Sequence, residues 1–96
     1  MTKSAITWKR LSPEGDKVEV EARRAGDHWR FSVRARRFDT WQAVATPPLE
    51  DWLTLLDAIR RRIARGLFRP EELGRVEEVI RERFPAAELR HGRSGR

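Results

Sequence analysis

The chain reads as an α+β protein: an antiparallel four-stranded meander sheet followed by two helices packed on its apolar face. Three observations predict this. Residues 17–23 and 28–36 alternate apolar and polar side chains, the period of two that a half-buried strand requires. Residues 49–63 and 70–84 repeat apolar side chains at spacings of three and four, the period of an amphipathic helix. The strands come first and the helices after, an order that segregates the two kinds of element.

The first strand is expected over residues 5–11, with Ile6 and Trp8 on one face and Thr7 and Lys9 on the other. Ser12-Pro13-Glu14-Gly15-Asp16 then supplies turn chemistry, with Pro for the second turn position and Gly for the left-handed one. In the second strand Val18, Val20 and Ala22 share the core face. In the third, Trp29, Phe31, Val33 and Ala35 do so. Ala25-Gly26 as the link between them predicts a hairpin in which Ala22 faces Trp29, Val20 faces Phe31 and Val18 faces Val33. On the other face that register sets Glu21 against Arg30 and Lys17 against Arg34. A fourth strand is expected over residues 40–45, with Trp41, Ala43 and Ala45 toward the core.

Thr46 is the expected cap of the first helix, with Pro47 or Pro48 in its first turn. Leu49, Trp52, Leu53, Leu56, Ile59 and Ile63 form its apolar stripe, and Gly66 ends it. The second helix starts at Pro70, follows Leu73, Val76, Ile80 and Phe84, and stops at Pro85. Residues 1–84 make a single domain on this reading, and residues 85–96 a flexible basic tail.

The 96 residues carry 21 Lys and Arg against 15 Asp and Glu, a net charge of +6. Residues 1–46 hold ten basic and six acidic side chains, residues 47–84 hold eight of each, and residues 85–96 hold three and one. The helical arginines Arg60, Arg61, Arg62 and Arg65 follow Glu50, Asp51 and Asp57, as the helix dipole favours, and pairs such as Asp57–Arg61 and Glu77–Arg81 sit at i,i+4. These arginines read as a mixed, solvated surface. The sheet differs. Between His28 and Phe38 stand Arg30, Arg34, Arg36 and Arg37 with no acid among them. Arg30, Arg34 and Arg36 share the outer face with Lys9, Lys17, Arg23 and His28, opposed only by Glu19 and Glu21.

Arg presents a fork of donors that suits phosphate and stacks on bases. The candidate nucleic-acid-binding residues are therefore Lys9, Lys17, Arg23, Arg30, Arg34, Arg36 and Arg37. Phe38, at a turn, is added as a base-stacking aromatic, with Trp41 as a second possible platform. Trp8, Trp29 and Trp52 are in phase with apolar neighbours and belong to the core. The tail, Arg90-His91-Gly92-Arg93-Ser94-Gly95-Arg96, is a candidate basic arm.

Cysteine is absent, which excludes disulfides, thiolate metal sites and cysteine nucleophiles. No glycine-rich phosphate loop, metal-ligand spacing or nucleophile–histidine–acid arrangement is present, so neither cofactor nor catalysis is expected. Residues 1–10 contain no leader-like apolar run and no membrane span is legible, which points to the cytoplasm.

The segment Val44-Ala45-Thr46-Pro47-Pro48-Leu49-Glu50-Asp51-Trp52-Leu53-Thr54-Leu55-Leu56 resembles the end of the single-stranded-DNA-binding transcriptional coactivator (Whirly-like) domain. There, basic curved strands run through a similar helix start into an amphipathic helix, and the order of elements over residues 17–63 is similar. The resemblance implies a dimer whose sheets grip single strands through Arg, Lys and aromatic side chains. Two readings follow. One is a small non-catalytic module binding single-stranded DNA or RNA through the sheet's basic outer face. The other is a protein-interaction or regulatory subunit, a homodimer or the partner of an acidic protein surface, joined through the edge strands.

Overall fold

A computed structural model describes residues 5–26, 28–35 and 39–87. The elements are β1 (Ile6–Leu11), β2 (Lys17–Ala25), β3 (His28–Arg34), β4 (Gln42–Val44), α1 (Leu49–Ala64) and α2 (Glu71–Arg83). The strands form one antiparallel sheet in the order β1-β2-β3-β4. An α+β meander followed by two helices is therefore the architecture. The chain divides into two compact units, Met1–Asp51 and Trp52–Arg96.

In the first unit the alternation holds. Ile6, Val20, Ala22 and Phe31 are buried on one face of the sheet, while Lys9, Lys17, Arg23 and Arg30 are exposed on the other. Trp8 meets Phe31 edge to face, with ring centroids 6.3 Å apart at 77°. The β1–β2 turn closes as its residues dictate. The Ser12 N–H donates to the Asp16 carbonyl at 2.7 Å, the Gly15 N–H donates to the Ser12 carbonyl at 2.8 Å, and Gly15 takes φ +91°.

The β2–β3 register differs from the sequence expectation by two residues. Ala22 faces Phe31, Val20 faces Val33 and Arg24 faces Trp29. Ala25 pairs with His28, so Ala25 belongs to the strand and not to the turn, which starts at Gly26 with φ +67°. A two-residue hairpin loop wants positive φ at its first position, and only Gly26 offers that without strain. A shift of two preserves every face and changes every partner. Glu21 therefore meets Ser32 instead of Arg30, and Arg34 meets Glu19 instead of Lys17.

The fourth strand is corrected in phase. Val44 faces Phe31, Ala43 faces Ser32 and Gln42 faces Val33, so Val44 rather than Ala43 takes the core side. Trp41 is not on that side. Its ring lies under the Arg34 guanidinium, 4.4 Å from carbon to centroid, on the outer face. The β-branched Val44 outcompetes the flanking alanines for the core-facing position, where it is half-buried.

In the second unit Trp52, Leu55, Leu56, Ala58 and Ile59 of α1 are buried, with Val76 and Ile80 of α2. Leu53 departs from the expected stripe at 38% exposure, since it stands about 100° from Trp52 on the side away from Leu55 and Ile59. The helix begins at Leu49 directly after Pro48, too late for Thr46 to cap it. It ends in a paired closure: the Gly66 N–H donates to the Ile63 carbonyl and the Leu67 N–H to the Arg62 carbonyl, with Gly66 at φ +77°. Pro70 stands directly before α2 without a side-chain cap bond, and Phe84 follows its last turn, its N–H donating to the Ile80 carbonyl.

Candidate nucleic-acid interface

The outer face of the sheet is built by period-two geometry on three adjacent strands. Lys9 comes from β1, Lys17, Glu19, Glu21 and Arg23 from β2, and Arg30 and Arg34 from β3. The register sorts these cations into two groups.

At one end Lys9 and Arg34 both stand opposite Glu19. Arg34 Nε donates to Glu19 Oε1 at 2.6 Å, and the flat face of the same guanidinium rests on Trp41. Lys9, Lys17, Val18, Glu19, Arg34 and Ala35 line a depression of about 520 Å³. Three cations thus surround one carboxylate.

At the other end Arg23 stands directly opposite Arg30. Like charges placed so across a strand pair destabilise by ~0.2–1 kcal/mol. Arg23 is relieved in part by Glu21, its Nη2 lying 3.1 Å from Oε2. Arg30 is exposed. From Lys17 to Arg23 the face extends six residues along β2, about 20 Å at strand rise.

Of the sequence-derived candidates, the structure brings Lys9, Lys17 and Arg34 together and sets Arg23 and Arg30 apart from them on the same face. Arg36, Arg37 and Phe38 lie outside the described residues, as does the basic tail from residue 88 onward. Two participants differ from the sequence expectation. Trp41, expected on the core side of β4 or as a stacking platform, lies on the outer face beneath Arg34; the signal is the β-branched Val44 three residues on, which fixes the phase of β4. Glu19, expected as a neutralising charge, also orients Arg34; the signal is Gly26 as the start of the turn, which fixes the register.

Arg10, by contrast, lies on the apolar face, in phase with Ile6 and Trp8. Its guanidinium is pushed further above its already high range by the hydrogen bonds it donates to Asp51, an effect that outweighs burial, with Coulomb attraction to Asp51 and Glu50 adding to it. It is a structural cation, not part of the outer surface.

Among the described residues no group of three or more His, Asp or Glu side chains is placed to hold a metal ion. No helix among them is long and apolar enough to cross a membrane. No family model, curated protein or solved structure matches the chain.

Proposed function

We propose that this protein is a small non-catalytic module that binds single-stranded nucleic acid on the outer face of its sheet. One observation carries the reading: Lys9, Lys17, Arg23, Arg30 and Arg34 lie on one face of three adjacent strands, where the carboxylates among the described residues of those strands are Glu19 and Glu21. Placing Arg23 against Arg30 costs stability, which a folded domain tolerates more readily when an anion regularly lies between the two. The open strand surface suits a flexible single strand, whose phosphates can follow the side chains. The resemblance of residues 44–56 to the coactivator domain supports the same choice.

Counterion release makes the test quantitative. Binding of a labelled 12-nucleotide single strand, followed by fluorescence anisotropy, should weaken as salt rises. With three to five phosphates contacted, the log–log slope should be about −2 to −3.5. Lys9→Glu/Arg30→Glu should abolish binding without unfolding the protein. No binding at low salt by the unsubstituted protein overturns the proposal.

A second reading rests on β1. It is an edge strand of six residues, and Leu11 at its end is 59% exposed. A second copy or another protein could extend the sheet there. The absorbance of the purified protein separates the two readings: co-purifying nucleic acid raises the 260/280 ratio and supports the first, whereas a protein partner does not raise it.

A further inference from the structure

Glu19 is an unfavourable neighbour for phosphate, and its surroundings suggest a different use. It occupies the central strand of three, with Lys9 opposite it on β1 and Arg34 opposite it on β3. Among the described residues its carboxylate accepts one hydrogen bond, through Oε1 from Arg34 Nε at 2.6 Å. Glu19 also lines the depression of about 520 Å³, which falls within the ~300–1,000 Å³ typical of small-ligand sites. Across the strands the row therefore offers a donor, an acceptor and further donors: the Lys9 amine, the Glu19 carboxylate and the terminal nitrogens of Arg34.

We propose that this depression seats the imide edge of a uracil or thymine base, an inference that rests on the single-strand reading above. In that edge an N–H lies between two carbonyl oxygens. The base N3–H donates to Glu19, and the flanking carbonyls accept from Lys9 and Arg34. Cytosine fits worse, because its central ring nitrogen is an acceptor that would face the carboxylate. A lone carboxylate would favour cytosine's amino group; the donors on both sides reverse that preference. Lys17, at the rim, takes an adjoining phosphate. Arg34 is already oriented, with Nε on Glu19 and its face on Trp41, so little rotamer freedom remains to be lost on binding.

The test compares oligo-dT, oligo-dC and oligo-dT carrying N3-methylthymine, each twelve nucleotides long, by anisotropy at one fixed salt concentration. The unsubstituted protein should favour oligo-dT over oligo-dC by about five- to tenfold. Methylation at N3 should erase that advantage with the protein unchanged, and Glu19→Gln should bring the dT/dC ratio close to one. Equal binding of dT and dC, a preference for dC, or a ratio indifferent to both N3 methylation and Glu19→Gln overturns the base subsite and leaves the general single-strand reading standing. Failure of every oligonucleotide to bind at low salt overturns both.

Discussion

The guanidinium of Arg10 closes on the carboxylate of Asp51 through two parallel bonds, Nε to Oδ1 at 2.7 Å and Nη2 to Oδ2 at 2.9 Å. The pair ties β1 to the first turn of α1. Asp51 is 1% exposed, and the Trp8 indole N–H adds a longer bond to its Oδ1 at 3.4 Å. Two-point geometry of this kind offsets the desolvation of both charges, and the helix N-terminus favours the carboxylate further.

Removing one member of the pair should therefore cost much more than removing both. Arg10→Met leaves Asp51 buried and largely uncompensated, and the expected loss is about 3 kcal/mol in urea unfolding. Arg10→Met/Asp51→Leu should recover most of it. A single substitution no more harmful than the double would show that the pair contributes nothing specific.

The same pair has a defined pH signature. Because the Arg10 pKa is raised on folding, its contribution is complete below the unfolded value and is lost only as pH rises beyond it. Both values lie well above neutrality. The stability difference between the unsubstituted protein and Arg10→Met/Asp51→Leu, which leaves no stranded carboxylate, should consequently stay flat from pH 6 to 9. A fall across that window would contradict the assignment.

Which parts of this were legible in the sequence follows from how each is determined. Faces follow from the alternation at Val18, Val20, Ala22, Phe31 and Val33, a local signal that survives a register shift of two. Partners do not, because they depend on whether the turn is counted from Ala25 or from Gly26. The Arg10–Asp51 pair was hidden for another reason: its members are 41 residues apart, and a charge in an apolar phase looks like a break in the pattern. Trp41 departs from its expected face because a three-residue strand carries too little periodicity to fix its own phase.

The turn itself can be tested. Gly26 has φ +67°, and a Cβ there would meet no atom within 4 Å, so substitution would cause backbone strain without a clash. Gly26→Ala should destabilise by about 1–2 kcal/mol, read as a lowered thermal midpoint. An unchanged midpoint would argue that the hairpin adopts a different turn.

Arg34 holds two partners through different parts of one planar group, and lysine cannot do both. Arg34→Lys gives up the side-on Nε bond to Glu19 and much of the contact with Trp41. A loss of about 1 kcal/mol is expected, with the Trp41 indole resonance shifting in a proton–nitrogen correlation spectrum. If that resonance stays in place, Trp41 does not rest on Arg34 in solution.

Arg30 separates fold from function most cleanly. It is exposed, and it faces Arg23 across the hairpin. Arg30→Glu replaces a like-charge pair by an opposite-charge one, so the folded protein should gain about 0.2–1 kcal/mol. Under the proposed function the same change removes a phosphate contact and introduces repulsion, so single-strand affinity should fall and the salt slope should shrink by about 0.7. Stability and binding then move in opposite directions from one substitution, a pattern that a merely structural arginine cannot produce. Urea unfolding and anisotropy on the same preparation read both. A gain in stability with affinity unchanged would remove this end of the sheet from the interface.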